Sequence, residues 1–345
     1  MEVALALLIS GVTIDVPAGG DLAAALARAR PGDAIRLGPG EHRGSLGTVA
    51  GVTISGAGAS RTSVVAREGE DGLVVSGDAA LAGLSIRAGP ERSALKVERG
   101  VARLDDVALA AGSCGAYVDG GRLEGRGVDL SGGKYGLLVR SGEVALDGGS
   151  ARGKLAGVGI LGGAVSLRRL AIVGPAREAG LSVAGGSASL EGVVLRRPGP
   201  SGISVSGGGR LDGVEVTVAG ATETQGFLGD CLQVNRATAR LHGATLVGCA
   251  GAAVEASGGR LSLSGVDAAG GSAGCLVLVD GAAAELSGNL CAGRGPGLVL
   301  AGGAHATAQV NRWWTDPVFW VDCGSGARVE LGRGETARAP CAATR

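Results

Sequence analysis

The sequence predicts an all-β chain folded as a solenoid of about 12 stacked coils, with a capping helix at one end and an aromatic cap at the other. Residues 180–195, GLSVAGGSASLEGVVL, show the pattern: two short stretches of alternating apolar and polar residues, separated by glycine turns. Glycine makes up 68 of 345 residues, yet there is no collagen-like period and 45% of residues are hydrophobic. The glycines therefore mark turns between strands.

Close variants of this segment recur, mostly at steps of 21 to 23 residues. Each strand can then pair in parallel with its copy in the next coil, at about 4.8 Å. One coil cannot bury its own apolar residues, so stacking creates an aliphatic core, and a charge placed there by Ile203→Asp should cost several kcal/mol. The residues that open successive coils are Gly72, Ala94, Gly115, Gly136, Gly157, Gly180, Gly202, Cys231, Gly251, Cys275 and Gly297.

The N-terminal region contains one helix signal, DLAAALARAR, from Asp21 to Arg30. It has an acidic N-cap, apolar residues at helical spacing, and Pro-Gly directly after it. The apolar run at 1–10 is either the remnant of an export signal or a first strand, and the alternation that continues through Ile14 and Val16 favours the strand. The helix should close the N-terminal end of the core.

The helix is followed by PGDAIRLGPGEHRG (31–44) and then by Val52-Thr53-Ile54-Ser55-Gly56. Residues 21–65 thereby resemble the N-terminal part of the pectate-lyase-like right-handed parallel β-helix superfamily. The resemblance implies that fold, but the superfamily includes many activities, so it does not identify a reaction. His42 occupies a position where the family usually has an aromatic residue, and we expect it to pack as a turn residue in the first coil.

Two columns of outward side chains are the places where the regular coils could carry chemistry. The first holds few ionisable groups: Val74, Lys96, Tyr117, Leu138, Gly159, Ser182, Ser204, Gln233, Ala253, Val277 and Val299. The second is charged: Asp105, Glu124, Asp147, Arg168, Glu191, Asp212 and His242, with Arg103, Arg122, Arg210 and Arg240 two residues upstream. Carboxylates at this spacing could bind Ca²⁺ as a cofactor. The neighbouring arginines instead favour a solvated, salt-bridged surface without metal.

The motifs of known superfamily enzymes are absent. Polygalacturonase-like hydrolysis would call for Gly-His-Gly and Arg-Ile-Lys, and an alginate epimerase for Asp-Pro-His where this chain has Asp316-Pro317-Val318. A lyase needs a base, and Lys96, Lys134 and Tyr135 are candidates with no partner that the sequence identifies. No residue is therefore assigned as catalytic.

The largest step between coils contains an insertion, TVAGATETQGFLGD, at 217–230. Loops that protrude from a rigid solenoid often carry binding groups, although an ordinary surface insertion would look the same. Replacing Asp230 and Gln233 together by alanine should abolish ligand binding with little loss of stability. The candidate ligand-binding residues of this region are Glu223, Gln225, Phe227, Asp230, Gln233, Asn235 and Arg236.

Seven cysteines lack any C-x-x-C pair, which argues against structural zinc. Six of them form sequential pairs in the C-terminal third, Cys231 with Cys249, Cys275 with Cys291 and Cys323 with Cys341, and Cys114 is left over. This spacing indicates disulfides and an oxidising compartment, with Cys323–Cys341 the favoured pair. The alternative is that Cys231, Cys275 and Cys291 are small buried apolar residues.

Four of the seven aromatic residues lie in NRWWTDPVFW, where the glycine-turn period stops. A solenoid end exposes unpaired strand edges, so Trp313, Trp314, Phe319 and Trp320 are interpreted as a cap, with a sugar-stacking platform as the alternative. We expect a single domain over 1–345: an N-terminal cap and first coil over 11–50, regular coils over 51–310 and a C-terminal cap over 311–345.

Composition narrows the function. Basic and acidic residues balance at 32 each, which argues against nucleic-acid binding, and the apolar N-terminal run is too short to span a bilayer. We expect an exported monomer (secreted, periplasmic or on the cell surface) that binds a polysaccharide or cell-surface component without catalysis. The alternative is a lyase, hydrolase or epimerase acting on an acidic glycan.

Overall fold

The computed structural model describes residues 11–174, 176–223 and 229–332. They form a solenoid of about 14 turns in which three parallel sheets, here called A, B and C, run along its length. Each strand pairs with the equivalent strand of the neighbouring coil; Leu181, for example, is in register with Ile203. The all-β parallel solenoid predicted from the glycine-marked repeat is confirmed.

The strands follow the order A, B, C within each coil. Sheet A contains Gly47–Val49, Leu73–Val75, Leu95–Val97, Ala156–Ile160, Ala179–Val183, Ser201–Val205, Asp230–Asn235, Ala252–Ser257, Gly274–Val279, Leu298–Leu300 and Phe319–Val321. Sheet B contains Thr13–Val16, Ala34–Leu37, Val52–Ser55, Ala164–Arg168, Ser187–Glu191, Arg210–Val214, Thr238–His242, Arg260–Ser264, Ala283–Ser287, His305–Gln309 and Arg328–Leu331. Sheet C contains Gly40–Arg43, Thr62–Val65, Ala171–Val173, Val194–Gly199, Thr217–Ala221, Thr245–Val247, Asp267–Gly270, Leu290–Gly293 and Arg312–Trp314. Four longer strands continue around corners from one sheet to the next: Ala79–Arg87, Val101–Ala111, Cys114–Gly132 and Tyr135–Gly153.

The core is aliphatic, as the inward positions predict. Leu181, Val183, Ile203 and Val205 are fully buried, and their equivalents continue through the neighbouring coils. The coil count is higher than expected because the repeat recognised in the sequence runs only from Gly72 to Gly297, whereas the strands Gly47–Val49 and Phe319–Val321 add coils at both ends. Stacking, rather than any one coil, supplies the buried surface.

The predicted capping helix is α1, Leu22–Arg28. The Asp21 side chain accepts a hydrogen bond from the Ala24 amide at 2.9 Å, and Leu22 and Ala25 are buried against the first coil. His42 is fully buried, as expected of a residue that packs in the first coil, but it lies in the sheet C strand Gly40–Arg43 rather than in a turn. Its Nε2 lies 2.8 Å from the Gly38 carbonyl oxygen. The apolar run at 1–10 lies outside the described residues.

Two of the three expected cysteine pairs are disulfides. Cys231–Cys249 and Cys275–Cys291 have Cα–Cα distances of 5.4 and 6.1 Å, and Cys114 is a buried free thiol. Cys341 lies outside the described residues, so the favoured pair Cys323–Cys341 stays a prediction. Among the residues described, no helix is both long and apolar enough to cross a membrane.

The aromatic C-terminal segment divides between inside and outside. Trp313 and Phe319 pack against the end of the core, with ring centroids 5.4 Å apart in an edge-on arrangement. Trp314 and Trp320 instead point outward and are exposed. A short 3-10 helix, Cys323–Ser325, and the strand Arg328–Leu331 follow. The first pair therefore packs against the core at this end of the solenoid, and the second pair faces solvent.

Candidate functional site

One outward column of sheet A combines polar, acidic and aromatic side chains. Its members are in register from coil to coil: Ser204, Gln233, Glu255, Val277, Val299 and Trp320. With about 4.8 Å between paired strands, the four steps from Gln233 to Trp320 span about 19 Å. We call this column the sheet A face.

Trp320 forms the aromatic end of the sheet A face. Trp320 is 51% exposed. In the strand register it follows Val277 and Val299, which are both half-buried. Trp320 lies on the last sheet A strand of the described residues, so it sits at the end of the ladder as the sequence interpretation expects, with its side chain on the outward side.

The insertion connects the sheet C strand Thr217–Ala221 to the sheet A strand Asp230–Asn235, which carries Gln233. Glu223 is exposed at its near side, and the chain returns into sheet A at Asp230. Gln233 is half-buried, whereas Asn235 and Arg236 are exposed, with Arg236 in the turn after the strand. Gln225 and Phe227 lie outside the described residues, so their contribution stays a prediction.

Asp230 does not line the surface as the sequence suggests. Its residue is only 2% exposed, and Oδ1 accepts a hydrogen bond from the Ala252 amide of the next coil at 2.7 Å. This buried, charge-assisted bond ties the first strand after the insertion to its neighbour. We therefore expect replacement of Asp230 to lower stability, contrary to the expectation from the sequence.

Asp230 also forms a carboxyl pair with Glu255. Partial burial, a hydrogen bond with Asp230 and the negative charge of Asp230 together raise the pKa of Glu255 to about 7. A carboxyl group with such a pKa can donate or accept a proton near neutral pH.

Sequence reasoning missed Glu255 because it opened the coil at Gly251, which put Ala253 in the outward column. The register instead pairs Gln233 with Glu255 and Glu255 with Val277. Cys231, Ala253 and Cys275 therefore open successive coils at a constant step of 22 residues. This constant step of 22 residues was the feature of the sequence that could have revealed the position of Glu255.

The charged column on sheet B is a salt-bridged surface, as favoured. Its carboxylates do not stack on one another, however, because the register places Glu124 beside Arg103, and Asp147 between Arg126 and Arg168. Ion pairs join neighbouring coils, for example Arg168 to Glu191 at 3.1 Å. Among the described residues there is no group of three or more His, Cys, Asp or Glu side chains arranged to hold a metal ion. Several of the charges on this sheet are therefore paired across neighbouring coils.

A depression of about 500 Å³ lies on sheet B between two ion-paired ends. Small side chains, including Ala145, Ser166 and Ser189, form its floor, while Arg210 pairs with Asp212 at 2.7 Å at its border. Nothing ionisable is left unpaired to orient a ligand there. The sheet A face remains the better candidate.

The candidate lyase bases are poorly suited to that role. A hydrogen bond to Glu98 raises the pKa of Lys96, and one to Glu91 raises the pKa of Lys134, so both amines stay protonated at neutral pH. Burial raises the pKa of Tyr135 as well. None of the three is prepared to abstract a proton.

The comparisons with known proteins concern the fold. No protein-family model matches the chain, and no curated protein matches it. Among solved structures it is similar to the catalytic domain of Agl-KA (12% identity, TM-score 0.42, covering 90% of this chain and 64% of that one) and to the Dettilon tailspike protein (10%, 0.46, 90% and 64%). It is also similar to the PL6 family alginate lyase AlyGC (10%, 0.39, 93% and 74%). The chain thus spans 64% of the length of the first two structures. The three-sheet parallel ladder and the capping helix show a parallel β-helix, which is the fold implied by the resemblance of residues 21–65 to the pectate-lyase-like superfamily.

Proposed function

We propose that this protein is an exported glycan-binding β-helix protein whose ligand lies along the sheet A face. The observation that carries the proposal is the register of Trp320 with Gln233 and Glu255 on one column of outward side chains. The face offers an aromatic surface at one end and hydrogen-bonding groups at the other. This combination suits a chain of sugar rings, which have apolar faces and hydroxyl edges.

The energetics favour Trp320 as the main anchor. An exposed tryptophan loses water from a large apolar surface when a ring packs on it, and it loses little side-chain entropy in doing so. Val277 and Val299 are half-buried and leave the middle of the face low and apolar. Gln233 can both donate and accept hydrogen bonds to hydroxyl groups. The polar end would fix the orientation of the glycan, and the aromatic end would supply most of the affinity.

Export is supported by the two disulfides, Cys231–Cys249 and Cys275–Cys291, since such bonds persist in oxidising compartments. Both lie in the C-terminal half, in coils that contribute Gln233 and Val277 to the face. They would hold the binding surface together outside the cell. We propose a secreted, periplasmic or surface location on this basis.

The test is native affinity electrophoresis through gels that contain xylan, galactomannan, laminarin, alginate or polygalacturonate. We expect at least one polysaccharide to retard the protein, and Trp320→Ala to weaken that retardation on the order of tenfold or more. Trp314→Ala is the matched control, because Trp314 is also outward and is 68% exposed but belongs to sheet C. Equal retardation of Trp320→Ala and wild type would refute the proposed site.

A further inference from the structure

A second depression on sheet B differs from the first in the charges that border it. It measures about 380 Å³ and lies over four consecutive strands, from Thr238–His242 to His305–Gln309. Its lining includes the small residue Ala283, and four of its other residues carry hydrogen-bond donors in their side chains. We call these four residues the sheet B donor site: Thr238, Arg240, Arg260 and Ser262.

The strand register arranges the sheet B donor site as a four-cornered patch. Thr238 is in register with Arg260, and Arg240 is in register with Ser262. Paired strands lie about 4.8 Å apart and alternate residues along a strand about 6.6 Å apart, so the diagonal between the two arginine Cα atoms measures about 8 Å. Arginine side chains are long enough for both guanidinium groups to contact one small group placed between them. The two hydroxyl groups occupy the other diagonal of the same patch.

The donors of this site are largely unused by the protein itself. Within the part of the chain that the structure describes, Arg260 forms no ion pair, and the hydroxyls of Thr238 and Ser262 form no hydrogen bond. Arg240 contacts Asp212 only at 3.9 Å, and the same carboxylate is held at 2.7 Å by Arg210. The patch therefore presents two guanidinium groups and two hydroxyls whose hydrogen-bonding capacity is available to a ligand.

The surrounding acidic groups leave the patch with an excess of positive charge. Glu285 is in register with Ser262 on the following strand, and no ion pair joins it to either arginine of the site among the residues described. His305 lies exposed at the far end of the depression. Because Asp212 is paired with Arg210, the two arginines of the site face one remaining carboxylate, that of Glu285.

We propose that the sheet B donor site binds a tetrahedral oxyanion, the anionic group of a phosphate or sulfate ester. Guanidinium groups on one diagonal can balance its negative charge with charge-assisted hydrogen bonds, and the hydroxyls on the other diagonal supply further donors. A carboxylate offers two oxygens in one plane and would leave part of this arrangement unused. The site lies on a different sheet from the sheet A face, so the proposal does not depend on the proposed glycan-binding function.

The test is a titration of ¹⁵N-labelled protein with sodium sulfate and sodium phosphate at low ionic strength, followed through the arginine Nε–Hε signals. We expect a small set of signals to shift and to saturate below about 10 mM, and this set should include the two signals that disappear in Arg240→Gln and Arg260→Gln. Each substitution should weaken binding by about tenfold or more, because it removes a charge-assisted hydrogen bond.

Arg103→Gln is the matched control. Arg103 lies in the same outward column as Arg240, six strand steps or about 29 Å away, and it pairs with Glu124 at 3.4 Å. Because salt screens charges at that distance, its loss should leave the affinity unchanged within about twofold. Glu285→Gln should instead tighten binding by about twofold, since it removes a negative charge about 8 Å from the centre of the patch.

Phenyl phosphate, phenyl sulfate and benzoate identify the source of the anionic group, because they share one ring and differ in the anion. Tighter binding of either ester than of benzoate supports the proposal and identifies that ester, and equal binding of both esters assigns recognition to their shared tetrahedral group. Benzoate binding as tightly as both esters would overturn the proposal. So would the lack of saturable shifts up to about 50 mM sulfate or phosphate, or equal losses of affinity in Arg260→Gln and Arg103→Gln. Trp320→Ala should bind sulfate and phosphate like the wild type, which separates this site from the sheet A face.

Discussion

Replacing Asp230 by alanine tests whether this residue ties the insertion to the next coil. The substitution removes the hydrogen bond between Asp230 Oδ1 and the Ala252 amide, which measures 2.7 Å and lies in a buried site. A hydrogen bond to a charged group contributes about 1.5 to 3 kcal/mol, and the Ala252 N–H would be left buried without a partner. Removing one carboxylate of the pair with Glu255 offsets part of this loss where Glu255 is ionised. We expect a cost of about 2 kcal/mol below about pH 6.

The assay is denaturation in guanidinium, with midpoints compared at one pH near 5.5. Gln233→Ala is the control, because Gln233 is on the same strand and half-exposed, and its loss should change the free energy of unfolding by no more than about 0.5 kcal/mol. Asp230→Asn keeps an oxygen acceptor for the Ala252 amide and should fall between the two. A midpoint for Asp230→Ala equal to that of Gln233→Ala would refute the assigned structural role of Asp230.

Three further predictions follow from burial, titration and cysteine pairing. The pKa of Glu255 is raised in the folded state, so the stability that this residue contributes is present below about pH 4.5 and is lost as pH rises through about 7. The thermal melting temperature should therefore fall over that pH range, and it should fall less in the Glu255→Gln variant. Ile203→Asp, at a fully buried position, should cost at least about 3 kcal/mol or prevent folding, whereas Ser204→Asp on the outward side of the same strand should be tolerated. Non-reducing peptide mapping should recover the two disulfides intact with Cys114 as a free thiol, and a scrambled pattern would contradict the cysteine pairing.

The fold could be predicted because several independent features of the repeat indicate the same structure. Glycine turns, alternating aliphatic residues and near-constant spacing all require stacked parallel strands, and Asp21 marks the capping helix. The coil count was less accessible, since strands such as Ala34–Leu37 and Phe319–Val321 join the ladder without an opening glycine. Whether a strand joins the ladder depends on backbone pairing, and residue types alone do not reveal that pairing.

The candidate site was harder to predict because the hydrophobic pattern of the sequence did not reveal an error in the strand register. Choosing Gly251 instead of Ala253 shifts one strand by two residues, and a two-residue shift leaves the same apolar side chains facing inward. The hydrophobic pattern therefore gave no warning that Glu255 belonged beside Gln233. The burial of Asp230 was also hidden, because alternation indicates which way a side chain points but not whether it binds the backbone of the next coil.

The central claim, that a glycan lies on the sheet A face, is tested most directly by hydroxyl-radical footprinting with mass spectrometry. Trp314 and Trp320 are both exposed and react readily, but they lie on different sheets. With a polysaccharide that retards the protein in gels, oxidation of Trp320 should fall while oxidation of Trp314 stays unchanged. Protection of Trp314 alone, or of neither tryptophan while the glycan is bound, would contradict the account.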